Sequence, residues 1–332
     1  MPELQGTPLS PWLSPTCEYI PSIRVSFLPP HQCLPLPPER PIPPPRRFFY
    51  SSDFSLPCYN HPMDSPQHAI LILVDGLRPE PVEQGLMPAL SRLAAGGTST
   101  LKARSVMPSI TLPCIASIFL SVPPTRHKTI TNTWHHNRRP LPGLFEMARA
   151  GGLLTASFHG WDPLRDLSQP DVLDFAYYHR SGDPITSQTE AEVCQFAADW
   201  IVRHHPGFSF VYIELPDQLG HKFGYLSPEY LSGCKRVDAA LSGFFDRLQQ
   251  ARVLDDSLVI VTADHGGHDR THGTPLPEDM TVPLILHGKG IRPGHTLEGK
   301  ASILDIAPTI THLLGLPTPP EWQGQVLREA LA

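Results

Sequence analysis

The sequence predicts an α/β fold, a three-layer αβα sandwich around a mostly parallel central sheet. Short apolar runs alternate along the chain with longer segments of helical period, and this alternation is typical of parallel strands joined by helices. The runs 68–74 and 208–213 are almost continuously apolar, as expected for strands that are buried on both faces. Several of these runs end directly in a carboxylate or a histidine.

Local signals place the elements in chain order. Gly96-Gly97 and Gly151-Gly152 end two helices, and Pro113 fits the first turn of another. The segment 186–204 is long and amphipathic, and Pro308 lies near the start of the last helix. The predicted strands are 68–74, 99–103, 153–158, 172–176, 208–213, 258–263 and 282–287. The predicted helices are 87–95, 115–120, 141–150, 186–204, 227–251 and 304–314.

Residues 1–62 differ from the rest because they hold 16 of the 40 prolines. Their apolar residues follow neither the helical nor the strand period, so this stretch cannot bury enough surface to offset its ordering entropy. It is a disordered tail or a ligand for an aromatic-lined groove, or else a non-native extension before a start at Met63. We expect residues 63–332 to form one catalytic domain.

Composition excludes several classes of protein. The net charge is −6 and basic residues form no long run, which argues against nucleic-acid binding. No apolar run is long enough to span a bilayer, and no signal peptide is visible. The six cysteines form no Cys-x-x-Cys pair, so free thiols in a reducing compartment are expected. We therefore expect a cytoplasmic protein without membrane contact, and the oligomeric state stays open.

Polar side chains follow three of the predicted strands. Asp75 ends the first, Asp217 and His221 follow the fifth, and Asp264 and His265 follow the sixth. Because ligand sites form at the carboxyl edge of such sheets, these groups should converge. Three carboxylates repel one another unless a cation lies among them. Aspartate oxygen and histidine nitrogen suit Zn²⁺, with Mn²⁺ as the alternative, and the ligands suffice for two divalent ions.

Thr111 lies near the predicted start of a helix, and two roles are open. It can cap the helix through its hydroxyl. It can also act as a nucleophile, because the helix N-terminus and a nearby metal would lower the pKa of its hydroxyl.

Taken together, these segments resemble the alkaline phosphatase superfamily, specifically its nucleotide pyrophosphatase/phosphodiesterase-like branch. The resemblance covers roughly residues 68–330, and the combination of Asp-x-x-Gly-His-x-x-Gly with Asp-His-Gly is specific. The matching motifs are Val74-Asp75-Gly76, Pro108-Ser109-Ile110-Thr111-Leu112-Pro113, Asp217 to Gly224, Thr262 to Gly267, and Asp305 to Ile310.

The resemblance implies a role for each matching residue. One metal would be held by Asp75, Thr111, Asp264 and His265. The other would be held by Asp217, His221 and a third histidine, for which His272 is preferred because glycine follows it, with His268 and His295 as alternatives. Thr111 would attack phosphorus and form a phosphothreonine. Asn132 would bind a phosphoryl oxygen, or else form a simple loop turn.

The implied reaction is hydrolysis of a phosphodiester or pyrophosphate bond in a small phosphate ester or nucleotide. A phosphomonoesterase is the alternative, and a non-catalytic ligand-binding member of the superfamily is a further one. The chain is too short for the large insertion of cofactor-independent phosphoglycerate mutases. A threonine at position 111 differs from the cysteine or serine that sulfatases carry at the nucleophile position.

Overall fold

A computed structural model describes residues 65–134, 141–179, 183 and 185–332. The proline-rich segment 1–62, for which the sequence predicts a disordered tail or a non-native extension, lies outside these residues. In the described part of the chain, eight strands form a single sheet in the order β4-β3-β5-β1-β6-β7-β2-β8. The strands are β1 (His68–Val74), β2 (Thr98–Arg104), β3 (Thr155–His159), β4 (Phe175–Tyr178), β5 (Phe208–Ile213), β6 (Ser257–Thr262), β7 (Thr281–Gly288) and β8 (His295–Thr296).

The central strands run parallel, and only β7 runs against its neighbours. Every residue of β1, β5 and β6 is buried, so helices must cover both faces of the sheet. This is the predicted αβα sandwich. The helices are α1 (Glu80–Glu83), α2 (Pro88–Ala95), α3 (Thr111–Leu120), α4 (Pro124–His127), α5 (Leu144–Ala150), α6 (Thr189–His204), α7 (Leu215–Phe223), α8 (Pro228–Gln250), α9 (Pro277–Met280) and α10 (Ile306–Leu313).

The sequence did not predict the short elements α1, α4, α9 and β8, and two predicted segments differ from the structure. The fourth strand covers Phe175–Tyr178 rather than 172–176, because pairing with β3 selects the stretch in which partly buried and exposed residues alternate. The segment after β5 is the helix α7, whereas the sequence predicted a polar strand end there. Pro216 occupies the first turn of this helix, where a missing N–H costs no hydrogen bond.

Helix α3 carries Thr111 at its first position and is buried along its whole length. An aromatic cluster fixes the helix to the sheet. The ring of Phe119 packs against Phe145 and edge-on against Phe210, with ring centroids 4.9 Å apart in both pairs. Phe208 closes the cluster, 6.1 Å from Phe119. The position of Thr111 therefore depends on aromatic packing at the far end of its own helix.

We predict that Phe119→Ala lowers the free energy of unfolding by about 3–5 kcal/mol, because it leaves a cavity in this cluster. The control is Phe223→Ala, since the Phe223 side chain is exposed and its loss should cost far less. Denaturant titrations of both variants provide the measurement. Equal losses in the two variants would show that the cluster does not anchor α3.

Candidate metal centre

The topology brings the predicted site residues to one edge of the sheet. Strand β1 lies between β5 and β6, so the residues that follow these three strands meet. Asp75 follows β1 directly, Asp264 follows β6 after one alanine, and Asp217 lies in the first turn of α7 after β5. The backbone N–H of Gly76, just after β1, donates to Asp264 Oδ1 at 3.2 Å. This bond links the end of β1 to the end of β6.

The first group of candidate ligands comprises Asp75, Asp264 and His265, and all three are buried. His265 Nε2 lies 3.3 Å from Asp75 Oδ1 and 3.4 Å from Asp264 Oδ2. His265 Nδ1 lies 2.8 Å from the carbonyl oxygen of Gly266, so Nδ1 carries the proton that makes this bond. The lone pair of Nε2 therefore faces two carboxylate oxygens.

These two oxygens, Asp75 Oδ1 and Asp264 Oδ2, are buried and have no hydrogen-bond partner. Burial, and then the neighbouring carboxylates, raise the pKa of Asp75 well above its usual range and that of Asp264 to about 8. Burial lowers the pKa of His265 to about 3. Without a cation this arrangement repels itself, because lone pairs and negative charges face each other in a low-dielectric interior. A divalent cation fits the group.

The second group comprises Asp217, His221 and His272. The Nε2 atoms of the two histidines lie 3.2 Å apart, and His221 Nε2 lies 3.4 Å from Asp217 Oδ2. The Nδ1 atoms of His221 and His272 bond the carbonyl oxygens of Arg270 and Ser109, at 3.0 and 2.8 Å. Such bonds from the far ring nitrogen orient histidines that ligate metals.

A positive charge is needed between these two rings. The contact with Asp217 raises the pKa of His221 to about 9. Burial acts to raise the pKa of Asp217, but His221 and the other nearby histidines hold it below its usual range. Either a proton or a metal ion between the two Nε2 atoms removes the repulsion between their lone pairs. A metal ion that binds there releases the proton. The two groups adjoin each other, since the rings of His265 and His272 stack with centroids 3.7 Å apart.

Thr111 lies beside the first group. Its Oγ1 atom is 3.2 Å from His265 Nε2, and the N-cap of α3 is Ile110 rather than Thr111. Asn132 lies next to it, because its Oδ1 accepts the N–H of Leu112 at 3.0 Å. The NH₂ end of the Asn132 amide is therefore the end left for a ligand. The structure thus places all eight predicted site residues in one region.

The alternative third ligands lie elsewhere. His268 Nδ1 is 2.7 Å from the buried carboxylate of Asp279, and His295 pairs with Glu329. Asp279 also accepts the N–H of Thr274 at 2.8 Å and the Thr274 hydroxyl at 2.7 Å. Asp279 therefore fixes the loop that carries His272, and sequence reasoning gave it no role.

Two tyrosines also bond the candidate ligands, and neither bond was predicted from the sequence. Tyr212 donates its hydroxyl to Asp75 Oδ2, and Tyr225 donates to Asp217 Oδ1 at 2.5 Å. Burial raises the pKa of both phenols, so both keep their protons and donate. Tyr212 lies within the buried strand β5, and nothing in the sequence distinguishes it from the other residues of that strand. Tyr225 directly follows the Asp-x-x-Gly-His-x-x-Gly motif, and that position was the available signal.

Fold and site together define an α/β protein with two adjoining groups of candidate metal ligands, and comparison with known proteins identifies its family. The family model for type I phosphodiesterase / nucleotide pyrophosphatase matches residues 69–152 and 159–278, more than half of the 332 residues. The chain belongs to this family.

Curated relatives of several kinds align with parts of the chain. Venom phosphodiesterase of Naja atra is 26% identical over 217 residues, which are 59% of this chain and 26% of that protein. Human ectonucleotide pyrophosphatase/phosphodiesterase family member 1 is 26% identical over 219 residues, 59% of this chain and 23% of that protein. An extracellular sulfatase homologue of Caenorhabditis elegans, described as putative, is 28% identical over 139 residues, 40% of this chain and 19% of that protein. The matched regions are thus a minor part of each relative.

Solved structures share the fold. Human ectonucleotide pyrophosphatase/phosphodiesterase 5 superposes with a TM-score of 0.68 at 14% identity, covering 80% of this chain and all of that one (100%). Phosphonate monoester hydrolase from Silicibacter pomeroyi gives a TM-score of 0.61 at 19% identity and covers 79% of this chain and 76% of that one. The comparisons together place the chain in the alkaline phosphatase superfamily.

Within the described residues, every helix is too short or too polar to cross a bilayer. The cytoplasmic location expected from the sequence stays a prediction.

We predict opposite effects of Asp264→Asn on stability with and without zinc. In zinc-free protein near pH 8 the variant should be more stable than the parent by about 1–3 kcal/mol, because a neutral amide replaces a buried carboxylate whose Oδ2 has no partner. In zinc-saturated protein it should be less stable, because a ligand is lost. Denaturant titration with a chelator and with added zinc measures both.

Asp238→Asn is the matched control, since Asp238 is also buried but accepts the N–H groups of Ala89 and Leu90 at 2.9 and 3.0 Å. It should be destabilising in both conditions. The pKa of Asp264, raised to about 8, adds a pH signature. A carboxyl that binds its proton more tightly in the folded state loses that stabilisation as pH rises from about 4 to about 8. The zinc-free advantage of Asp264→Asn should grow over this range, and a constant difference would contradict the assignment.

Proposed function

We propose that this chain is a two-metal phosphohydrolase that cleaves a phosphodiester or pyrophosphate bond through a phosphothreonine on Thr111. The observation that carries the proposal is the position of the Thr111 hydroxyl, 3.2 Å from His265 Nε2 and at the first position of a buried helix. Covalent phosphoryl transfer requires a hydroxyl in such a position, in a diesterase and in a monoesterase alike.

The ligand groups have the composition of catalytic zinc sites. Asp75, Asp264 and His265 would hold one ion together with Thr111, and Asp217, His221 and His272 would hold the other. Three protein ligands with a further position left for the substrate or the nucleophile are usual for catalytic zinc. When bound, the two ions stabilise the charge that develops on the attacking and leaving oxygens of an in-line displacement.

Thr111 performs the covalent step. After its hydroxyl gives its proton to water, Oγ1 attacks phosphorus and forms a new P–O bond. The P–O bond to the leaving group breaks, and the electron pair departs with the leaving oxygen. Water then attacks the phosphothreonine, which releases the phosphate product and restores the hydroxyl. The N-terminus of α3 supports this chemistry because its partial positive charge favours an anionic group nearby.

Asn132 orients the substrate. The bond from the Leu112 N–H to Asn132 Oδ1 fixes the direction of the amide, and its NH₂ group then donates to a phosphoryl oxygen next to Thr111. A fixed donor costs no reorganisation when charge develops on that oxygen.

Family membership and one structural neighbour support the proposed substrate class. An inactive variant of murine ectonucleotide pyrophosphatase/phosphodiesterase 5 is solved in complex with AMP, and it shares the fold at a TM-score of 0.67 and 16% identity. We infer a small phosphate ester or nucleotide substrate for this chain. Activity on bis-p-nitrophenyl phosphate, p-nitrophenyl phosphate, p-nitrophenyl sulfate and a dinucleotide pyrophosphate separates a diesterase from a monoesterase and from a sulfatase.

We predict that Thr111→Ala reduces turnover by several orders of magnitude while the fold and most zinc binding remain, since the attacking oxygen is lost. Thr111→Ser should keep part of the activity, because the hydroxyl survives and only its rotamer is less restricted. Acid-quenched enzyme incubated with labelled substrate should carry phosphate on the peptide that contains Thr111.

Ser117→Ala provides the control on the same helix. Ser117 is buried, and its hydroxyl lies 2.9 Å from His127 Nε2, away from the ligand groups. The change should lower stability and leave turnover close to that of the parent. Undiminished turnover in Thr111→Ala would overturn the covalent mechanism and require direct attack by water.

A further inference from the structure

Two buried tyrosines serve the two ligand groups in the same way. Tyr212, on β5, donates its hydroxyl to Asp75 Oδ2 in the first group. Tyr225, which follows α7, donates to Asp217 Oδ1 at 2.5 Å in the second group. Each phenol therefore occupies one oxygen of a candidate ligand carboxylate.

The ring of Tyr225 lies in a slot formed by two glycines from separate motifs. A Cβ atom placed on Gly220 would lie 2.7 Å from the ring, and one on Gly267 would lie 2.3 Å from it. Tyr230 backs the ring with a centroid separation of 5.5 Å, and the Tyr225 N–H donates to the Asp269 carbonyl at 2.7 Å. Any side chain at either glycine would have to displace the tyrosine ring.

This packing gives a reason for glycine at both positions. Gly220 precedes His221 on α7, and Gly267 follows Asp264 and His265 in the loop after β6. The ring between them joins the segment that carries the second ligand group to the segment that carries part of the first. The hydroxyl of the Tyr225 ring held between the two glycines points at Asp217 Oδ1.

A hydrogen bond from a tyrosine to one carboxylate oxygen leaves the other oxygen of that carboxylate for a metal ion. With Oδ2 of Asp75 held by Tyr212, the partnerless Oδ1 faces His265 Nε2 at 3.3 Å. With Oδ1 of Asp217 held by Tyr225, Oδ2 lies 3.4 Å from His221 Nε2. Hydrogen bonds of this kind stop a carboxylate from rotating away from its metal-binding orientation, and their loss typically costs about 10–100-fold in metal affinity.

We propose that Tyr225 and Tyr212 are positioning residues that turn one oxygen of Asp217 and of Asp75 towards the respective metal ion, and that Gly220 and Gly267 are required to seat Tyr225. The inference rests on the proposed two-metal function. It assigns each tyrosine to one site, so removal of each hydroxyl should weaken the binding of a different metal ion.

The test uses the full chain and zinc alone. Competition with a chromophoric chelator gives two zinc dissociation constants for the parent, Tyr225→Phe and Tyr212→Phe. Each phenylalanine keeps the ring and removes only the hydroxyl, and each should raise one constant by about 10–100-fold. Each tyrosine substitution is then combined with Asp217→Asn, which shows to which ligand group each dissociation constant belongs. The effect of Tyr225→Phe should vanish in that background, and the effect of Tyr212→Phe should persist.

Tyr230→Phe is the control for loss of a buried phenol. Tyr230 donates to the carbonyl of Gly76 at 2.8 Å rather than to a carboxylate, so this change should lower the melting temperature and leave both constants within about twofold of the parent. Gly267→Ala should raise the same constant as Tyr225→Phe, because it displaces the ring.

The outcomes separate the two proposals. Parent protein that binds no zinc would overturn the proposed function together with this inference. Parent protein that binds two zinc ions, while Tyr225→Phe leaves both constants unchanged, would overturn the positioning role alone. An effect of Tyr225→Phe that persists in Asp217→Asn would contradict the assignment to that carboxylate.

Discussion

The repulsion among buried ligand atoms is the constraint on which this site depends. Asp75 Oδ1 and Asp264 Oδ2 face the lone pair of His265 Nε2 within 3.4 Å, and neither oxygen has a hydrogen-bond partner. The raised pKa values of both carboxyls express the same conflict, since burial and mutual charge favour bound protons. A divalent cation resolves it without a proton. Under the proposed two-metal function, the fold is a scaffold that holds like charges together for a metal.

The fold meets this constraint with rigid parts. Strand β1 lies between β5 and β6, so three buried strands deliver their ends to one place. Helix α7 then presents Asp217 and His221 four residues apart on one face. Aromatic packing at Phe119 holds α3, and Asp279 holds the loop before α9. Thr111 and His272 are thus held by interactions outside the candidate ligand groups, as catalysis by positioning requires.

Much of the fold and of the candidate site could be predicted from the sequence, because apolar strands that end in carboxylates indicate both the sheet and the edge at which ligands bind. Asp75 and Asp264 were found in this way, and the structure brings them together. What the sequence could not show was side-chain direction. Tyr212 looks like an ordinary strand residue, and only three-dimensional packing aims its hydroxyl at Asp75. Likewise, spacing alone left His268 and His272 as alternatives, and the pairing of His268 with Asp279 depends on how the loop folds back.

The most direct test of the two-metal account is the anomalous scattering of crystals grown with zinc and measured on both sides of the zinc absorption edge. The account predicts two strong peaks in the anomalous difference map. One should lie among Asp75, Asp264 and His265, and the other should lie among Asp217, His221 and His272. A map with no peak at either group, at zinc concentrations that saturate the protein in solution, would contradict it.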